Sequence, residues 1–164
     1  MPAEPPNGLP PPPDWEILIA HHFPNRYART IPLRVRGTWY HFCARCSGEL
    51  VGFLALLIPY LALPAVGNAV ATPTGGIVLG LLPAVPLVDW LTQTTGGRES
   101  TNLLRVVSGV LLGLAFGGLV GYGLTERWLL FAAGFLVLGT YMAVAATVLY
   151  RTGVWQRVIA EHFP

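Results

Sequence analysis

Polar and apolar positions along the chain separate into four long apolar runs preceded by a mixed segment. The runs span about residues 47–66, 74–92, 103–124 and 128–149 and carry at most one charged residue each. A helix needs about 20 residues to cross a hydrocarbon core of roughly 30 Å, so each run predicts a transmembrane helix. Pro83 and Pro86 interrupt the second, which has no charge before Asp89. In the third, Gly109, Gly113, Gly117 and Gly121 recur at every fourth position and form a stripe on one helical face. Such a face predicts close packing on another helix, within the chain or across a homodimer. Arg105 continues the stripe.

The mixed segment has a different period. "IPLRVRGTWYHF" alternates Leu33 and Val35 with Arg34 and Arg36, turns near Gly37, and predicts a two-stranded ribbon that delivers His41 and Cys43. "DWEILIAHH" predicts a short interfacial helix with Asp14 as its cap and Trp15, Leu18 and Ile19 on the buried face. Residues 1–13 are proline-rich and polar and predict a disordered tail without the features of a cleavable signal peptide. The expected architecture is an all-α integral membrane protein of four transmembrane helices, residues 47–149. A small cytoplasmic segment, 14–46, with a β-ribbon and a Cys/His knuckle precedes them, and a cytoplasmic tail, 150–164, follows.

Composition supports a bilayer protein. Of 164 residues, 53% are hydrophobic and 11% charged, with a mean hydropathy of +0.55, leaving too few polar residues to cover a water-soluble globule. The arginines fix an expected orientation. Arg26, Arg29, Arg34, Arg36 and Arg45 precede the first run, Arg98 and Arg105 flank the 93–104 loop, Arg151 and Arg157 follow the last run, and only Arg127 falls on the other side. The positive-inside rule then puts both termini and the 93–104 loop in the cytoplasm of a multi-pass cell-membrane protein, with the uncharged "AVGNAVATPT" as the outer loop. Arginines spread this way form no nucleic-acid-binding face.

The chain's two cysteines stand at Cys43-x-x-Cys46, at the threshold of the first run. In a reducing cytoplasm this spacing favours metal ligation or redox chemistry over a structural disulfide. Zinc takes four ligands in a tetrahedron, and Cys43, Cys46, His21 and His22 form the most economical set, with His41 as a substitute and iron as the alternative metal. Two other readings compete: thiols buried at the interface beside surface histidines, and a redox pair that lacks a thioredoxin-like βαβ context.

A second constellation reads "VDWLTQTTGGRESTNLLRVVSG". Asp89 and Gln93 share a helical face, and a carboxylate at that depth needs a partner, for which Arg98 and Arg105 are the candidates. Gly96 and Gly97 break the helix, and Ser100 or Thr101 caps the next one. The helix start and its two arginines suit a phosphate or carboxylate. The competing reading is a helical hairpin in which Asp89, Gln93, Asn102 and Arg105 satisfy one another. Glu49, a turn inside the first run, either pairs with Arg105 or lies at the interface.

These elements together resemble a family of small prokaryotic membrane proteins catalogued as domain of unknown function 2085. The similarity runs from about His21 to Gly113, through His21-His22, Cys43-Ala44-Arg45-Cys46-Ser47-Gly48, Asp89 to Gln93, and Arg98-Glu99-Ser100-Thr101-Asn102 on to Arg105 and Gly109. The family pattern has cysteine where this chain has His21. Cysteine and histidine exchange as zinc ligands but not as halves of a disulfide, so the resemblance favours metal coordination. No activity comes with it. Three functional expectations stand: a binding or transport-associated membrane protein with a cytoplasmic metal knuckle and an anionic lipid or phosphate ligand; a metal-dependent enzyme on a lipid or lipid-linked phosphate at the inner leaflet, with Asp89 or Glu49 as acid/base; and a structural or assembly subunit.

Overall fold

A computed structural model describes residues 29–96, 98–154 and 156. The expected tail, the interfacial helix from Asp14, His21 and His22, and most of the C-terminal tail lie outside the described residues.

The described chain begins with the ribbon. Strand β1 (Thr30–Val35) pairs antiparallel with β2 (Thr38–Cys43), with Thr30 opposite Cys43 and Val35 opposite Thr38. Arg36 and Gly37 form the two-residue turn with φ of +50° and +87°, the pair of positive values that lets a tight turn follow the strands' right-handed twist. Glycine adopts this conformation without steric cost, which is why the turn falls there. The tip of the ribbon is exposed, whereas Thr30, His41 and Cys43 are buried at its base.

Helix α1 (Ala44–Ala62) follows β2 directly. A short α2 (Pro64–Val70), α3 (Pro73–Leu81), α4 (Ala84–Thr94), α5 (Asn102–Leu124) and α6 (Trp128–Arg151) complete the chain. Four stretches are long and apolar enough to cross a bilayer: Ala44–Ala62, Pro73–Thr94, Asn102–Leu124 and Trp128–Arg151. All four expected spans are therefore present. Three details differ. The first span starts at Ala44, so Arg45 and Cys46 belong to its opening turn. The stretch read as an outer loop contains α2, which Pro64 starts at a helix N-terminus, where its missing N–H costs nothing. The second span consists of α3 and α4, interrupted ahead of Pro83. At that break the Tyr141 hydroxyl of α6 donates to the Gly80 carbonyl at 2.9 Å, supplying a donor where the proline sequence interrupts the ladder.

The centre of the fold is the seam between α1 and α5, which run in parallel. A methyl group on Gly48 or Gly52 of α1 would strike the carbonyl oxygens of Val106 and Val110, and one on Gly109, Gly113 or Gly117 of α5 would strike those of Arg45, Glu49 and Phe53. Gly121 lies against the Tyr60 ring. Each backbone thus sits in the groove of the other, where dispersion and Cα–H···O contacts replace the hydrophobic drive that lipid removes. The homodimer expected through the Gly109/Gly113/Gly117/Gly121 face loses its surface, because α1 of the same chain fills it.

At the end opposite the ribbon, the Tyr60 and Tyr122 rings meet edge to face at 6.1 Å. Tyr122 donates to the Val70 carbonyl at 2.8 Å, and Arg127 donates to Asn68 at 3.2 Å. Helix α6 packs differently, with side chains rather than a partner helix's backbone against it, as where Leu119 lies on Gly134. It leaves an apolar groove of about 470 Å³ against α3 and α5 and another of about 1050 Å³ against α4 and α5.

The seam predicts a contrast between two glycines. Gly113→Ala should destabilise the detergent-solubilised protein by about 2 kcal/mol, as overpacking against rigid backbone does. Gly139→Ala, where an added methyl meets nothing within 4 Å, should leave thermal unfolding within about 0.5 kcal/mol of wild type.

Candidate functional site

The site lies where the ribbon meets the helix ends, and it is organised by one carboxylate. Asp89, in the last turns of α4, is 2% exposed. A charge there persists only if its oxygens are fully engaged, and they are. Oδ2 accepts from Arg45 at 2.5 Å and from Gln93 Nε2 at 2.8 Å. Oδ1 accepts from Arg98 at 2.7 Å and from Ser100 Oγ at 3.2 Å. These four donors match the four lone-pair positions of a carboxylate. They come from the start of α1, from α4 itself and from the α4–α5 link, so one buried anion ties three segments of chain.

Gln93 extends the network. Its amide points Nε2 at Asp89, which leaves Oε1 to accept from Arg105 at 3.2 Å. Arg105 is 5% exposed; it also donates to Asn102 Oδ1 at 3.5 Å and lies 3.7 Å from Glu99. Asn102 donates its amide to the Thr30 carbonyl at 3.1 Å, and Arg29 pairs with Glu99 at 3.3 Å. These contacts fasten the base of the ribbon to the α4–α5 link. Thr101 caps α5 by accepting from Leu104 N at 3.3 Å, which leaves Ser100 to turn inward to Asp89.

Asp89, Gln93, Arg98, Ser100, Asn102 and Arg105 therefore meet at one place, as the spacing predicts. Of the two candidate partners for Asp89, Arg98 reaches it directly, whereas Arg105 is relayed through Gln93. Arg105 pairs with Glu99 rather than Glu49, which instead borders a shallow recess with Cys46, Leu50, Phe53 and Phe116. The residue missed from sequence is Arg45. It reads as one of several arginines ahead of a span and proves to be a direct partner of Asp89. Its place between the two cysteines of the Cys-x-Arg-Cys element was the available signal.

Cys43 ends β2, and Cys46 lies near it in the first turn of α1. Cys43 is buried and Cys46 exposed. Among the described residues, no three His, Cys, Asp or Glu side chains form a group able to hold a metal ion. His41, buried on the same strand, does not complete a set with the two thiols. His21 and His22 lie outside the described residues.

The family described as "Predicted membrane protein (DUF2085)" matches residues 25–119, and this chain belongs to it. The matched stretch contains the ribbon, α1 to α4, most of α5 and every residue of the Asp89 network. His21, His22 and α6 lie beyond it. An uncharacterised protein of Methanothermobacter thermautotrophicus is 33% identical over 97 residues, 58% of this chain and 78% of the relative. The uncharacterised protein MJ1492 of Methanocaldococcus jannaschii is 31% identical over 96 residues, 58% of this chain and 57% of that protein. The chain thus spans little more than half the length of the second relative. No solved structure shows significant similarity.

The network predicts a steep cost for removing its centre. Asp89→Asn leaves two guanidinium groups facing a neutral amide, and should destabilise the protein by about 3–5 kcal/mol. Arg98→Gln, whose side chain is 40% exposed, should cost less, about 1–2 kcal/mol. Unfolding of the two variants in mixed detergent micelles ranks them directly.

Proposed function

We propose that this membrane protein binds an anionic group, a phosphate or a carboxylate, at the arginine cluster around Asp89. The positive-inside rule assigns that face to the cytoplasm, with both termini on the same side and the protein in the cell membrane. One observation carries the reading: among the described residues at this face, guanidinium groups outnumber carboxylates. Among the described residues, Arg29, Arg45, Arg98 and Arg105 face Asp89 and Glu99, and the balance within that set stays positive even when Glu49 is counted. Half-exposed Arg98 is the guanidinium most open to an incoming anion. Arginine's planar fork suits the oxygens of phosphate and carboxylate alike.

A purely structural role explains Asp89, Gln93 and Asn102, whose hydrogen bonds close on one another, but it does not account for the excess of guanidinium groups among the described residues. An enzyme in which Asp89 moves protons is disfavoured, because all four of its lone-pair positions already hold donors.

The two thiols support a further element of the same face, a zinc ion bound by Cys43 and Cys46 with His21 and His22, or iron in its place. Their juxtaposition where a strand passes into a helix is the observation behind it. Four protein ligands would close the coordination sphere and make the metal a staple rather than a catalyst.

Two measurements check these readings. At ten times its Kd, inorganic phosphate should raise the unfolding free energy of the wild type by about 1.4 kcal/mol at constant ionic strength. Arg98→Gln should lose most of that gain, while Arg127→Gln, at the opposite end, should keep it; equal gains in both variants would refute the anion site. Protein purified without chelators should carry about one equivalent of zinc or iron that Cys46→Ser removes, whereas less than about 0.2 equivalents contradicts the knuckle.

A further inference from the structure

We infer that the anion held at this face is the headgroup of a membrane lipid, and that one of its acyl chains occupies the groove between α4, α5 and α6. The inference rests on the anion-binding reading and adds the source of the anion. The groove, of about 1050 Å³, is walled by apolar side chains such as Leu87, Leu112, Phe116 and Met142, and its volume is at the upper end of ligand sites, roughly 300–1,000 Å³. It is not apolar throughout. Arg45, the same residue that pairs with Asp89, lines it, along with Trp90 and Tyr150. Trp90 lies near the end of α4 that leads to Arg98, and Tyr150 adjoins Arg151 at the end of α6, the level at which amphipathic rings sit beside headgroups.

The groove therefore has the polarity of a lipid: cation and interfacial aromatics at one end, hydrocarbon walls along the rest. From Tyr150 back to Phe135 it follows about 22 Å of α6, enough to hold a chain from the headgroup level past the bilayer midplane, about 15 Å in. Arg45 supplies a second argument. Its Nε is buried with no hydrogen-bond partner, whereas its Nη2 is committed to Asp89. The side chain as a whole keeps 21% of its surface exposed, and it is this exposed part, not the buried Nε, that a headgroup in the groove meets. An anionic headgroup suits this end, and the choline of a zwitterionic lipid does not.

Gly139 lines the groove, and a side chain built on it meets open space, so the groove can be filled without disturbing the seam. The test titrates wild-type protein in micelles with phosphatidylglycerol or phosphatidylcholine carrying brominated chains. The part of the fluorescence quenching that Trp90→Phe removes is followed. Half-quenching should need about fivefold less of the anionic lipid. Gly139→Leu should raise the required mole fraction of anionic lipid about tenfold, with Ala146→Leu on the same wall as the second variant should Gly139→Leu fold poorly. Phosphate-induced stabilisation should survive in both. If both lipids quench Trp90 equally, or the filled groove quenches like wild type, while phosphate still stabilises the protein, the lipid inference falls and the anion site stands. If phosphate fails to stabilise the wild type, both fall.

Discussion

A carboxylate buried at the end of a membrane helix has few ways to remain charged, and the rest of this structure follows from how Asp89 does so. Removal from water costs an ion several kcal/mol, which attraction repays only when geometry is good and every lone pair is engaged. Asp89 meets that condition with Arg45, Arg98, Gln93 and Ser100. Because these donors come from separate parts of the chain, satisfying one anion fixes the start of α1, the end of α4 and the link into α5 relative to one another. Gln93, Arg105 and Asn102 carry the constraint outward to Thr30, so the ribbon is seated by the same network.

The network works beside a second, apolar device. Along the α1–α5 seam, glycines on both helices bring the backbones into direct contact, which gives the bundle a stiff parallel pair. Arg45 and Gly109 stand at the polar end of that seam, where the Arg45 carbonyl packs on Gly109 while its guanidinium reaches Asp89. Backbone packing and ion pairing therefore position the same residue. Helix α6 takes part in neither. Its side-chain contacts leave room on both flanks, and the larger opening ends at Arg45. A rigid pair with a charged end and a loosely packed neighbour is an arrangement suited to holding an amphiphile.

Much of this was legible in the sequence. Span number and position follow from apolar runs that water would not tolerate, and the ribbon follows from alternation and a glycine at its turn. The glycine stripe named a packing face because only a close neighbour calls for glycine at four successive turns. Asp89, Gln93, Arg98, Ser100, Asn102 and Arg105 were marked by polarity in an apolar setting. The identity of the stripe's partner was not legible, since periodicity describes one helix and not its neighbour. Arg45 was hidden for a related reason: an arginine ahead of a span serves topology by default, and only the return of α4 against α5 to the same end of the bundle brings a buried carboxylate within its reach. The short α2 was missed because an uncharged stretch with glycine and threonine reads as a loop until Pro64 and its surroundings fix it.

The central claim is that Arg45 and Asp89 are energetically one unit and not two independent polar residues. A double-mutant cycle tests it, with Arg45→Gln, Asp89→Asn and the double variant unfolded under identical micelle conditions. The account predicts a coupling energy of about 2 kcal/mol or more, at the upper part of the range for residues in direct contact. Additivity of the two single changes to within about 0.5 kcal/mol would contradict it.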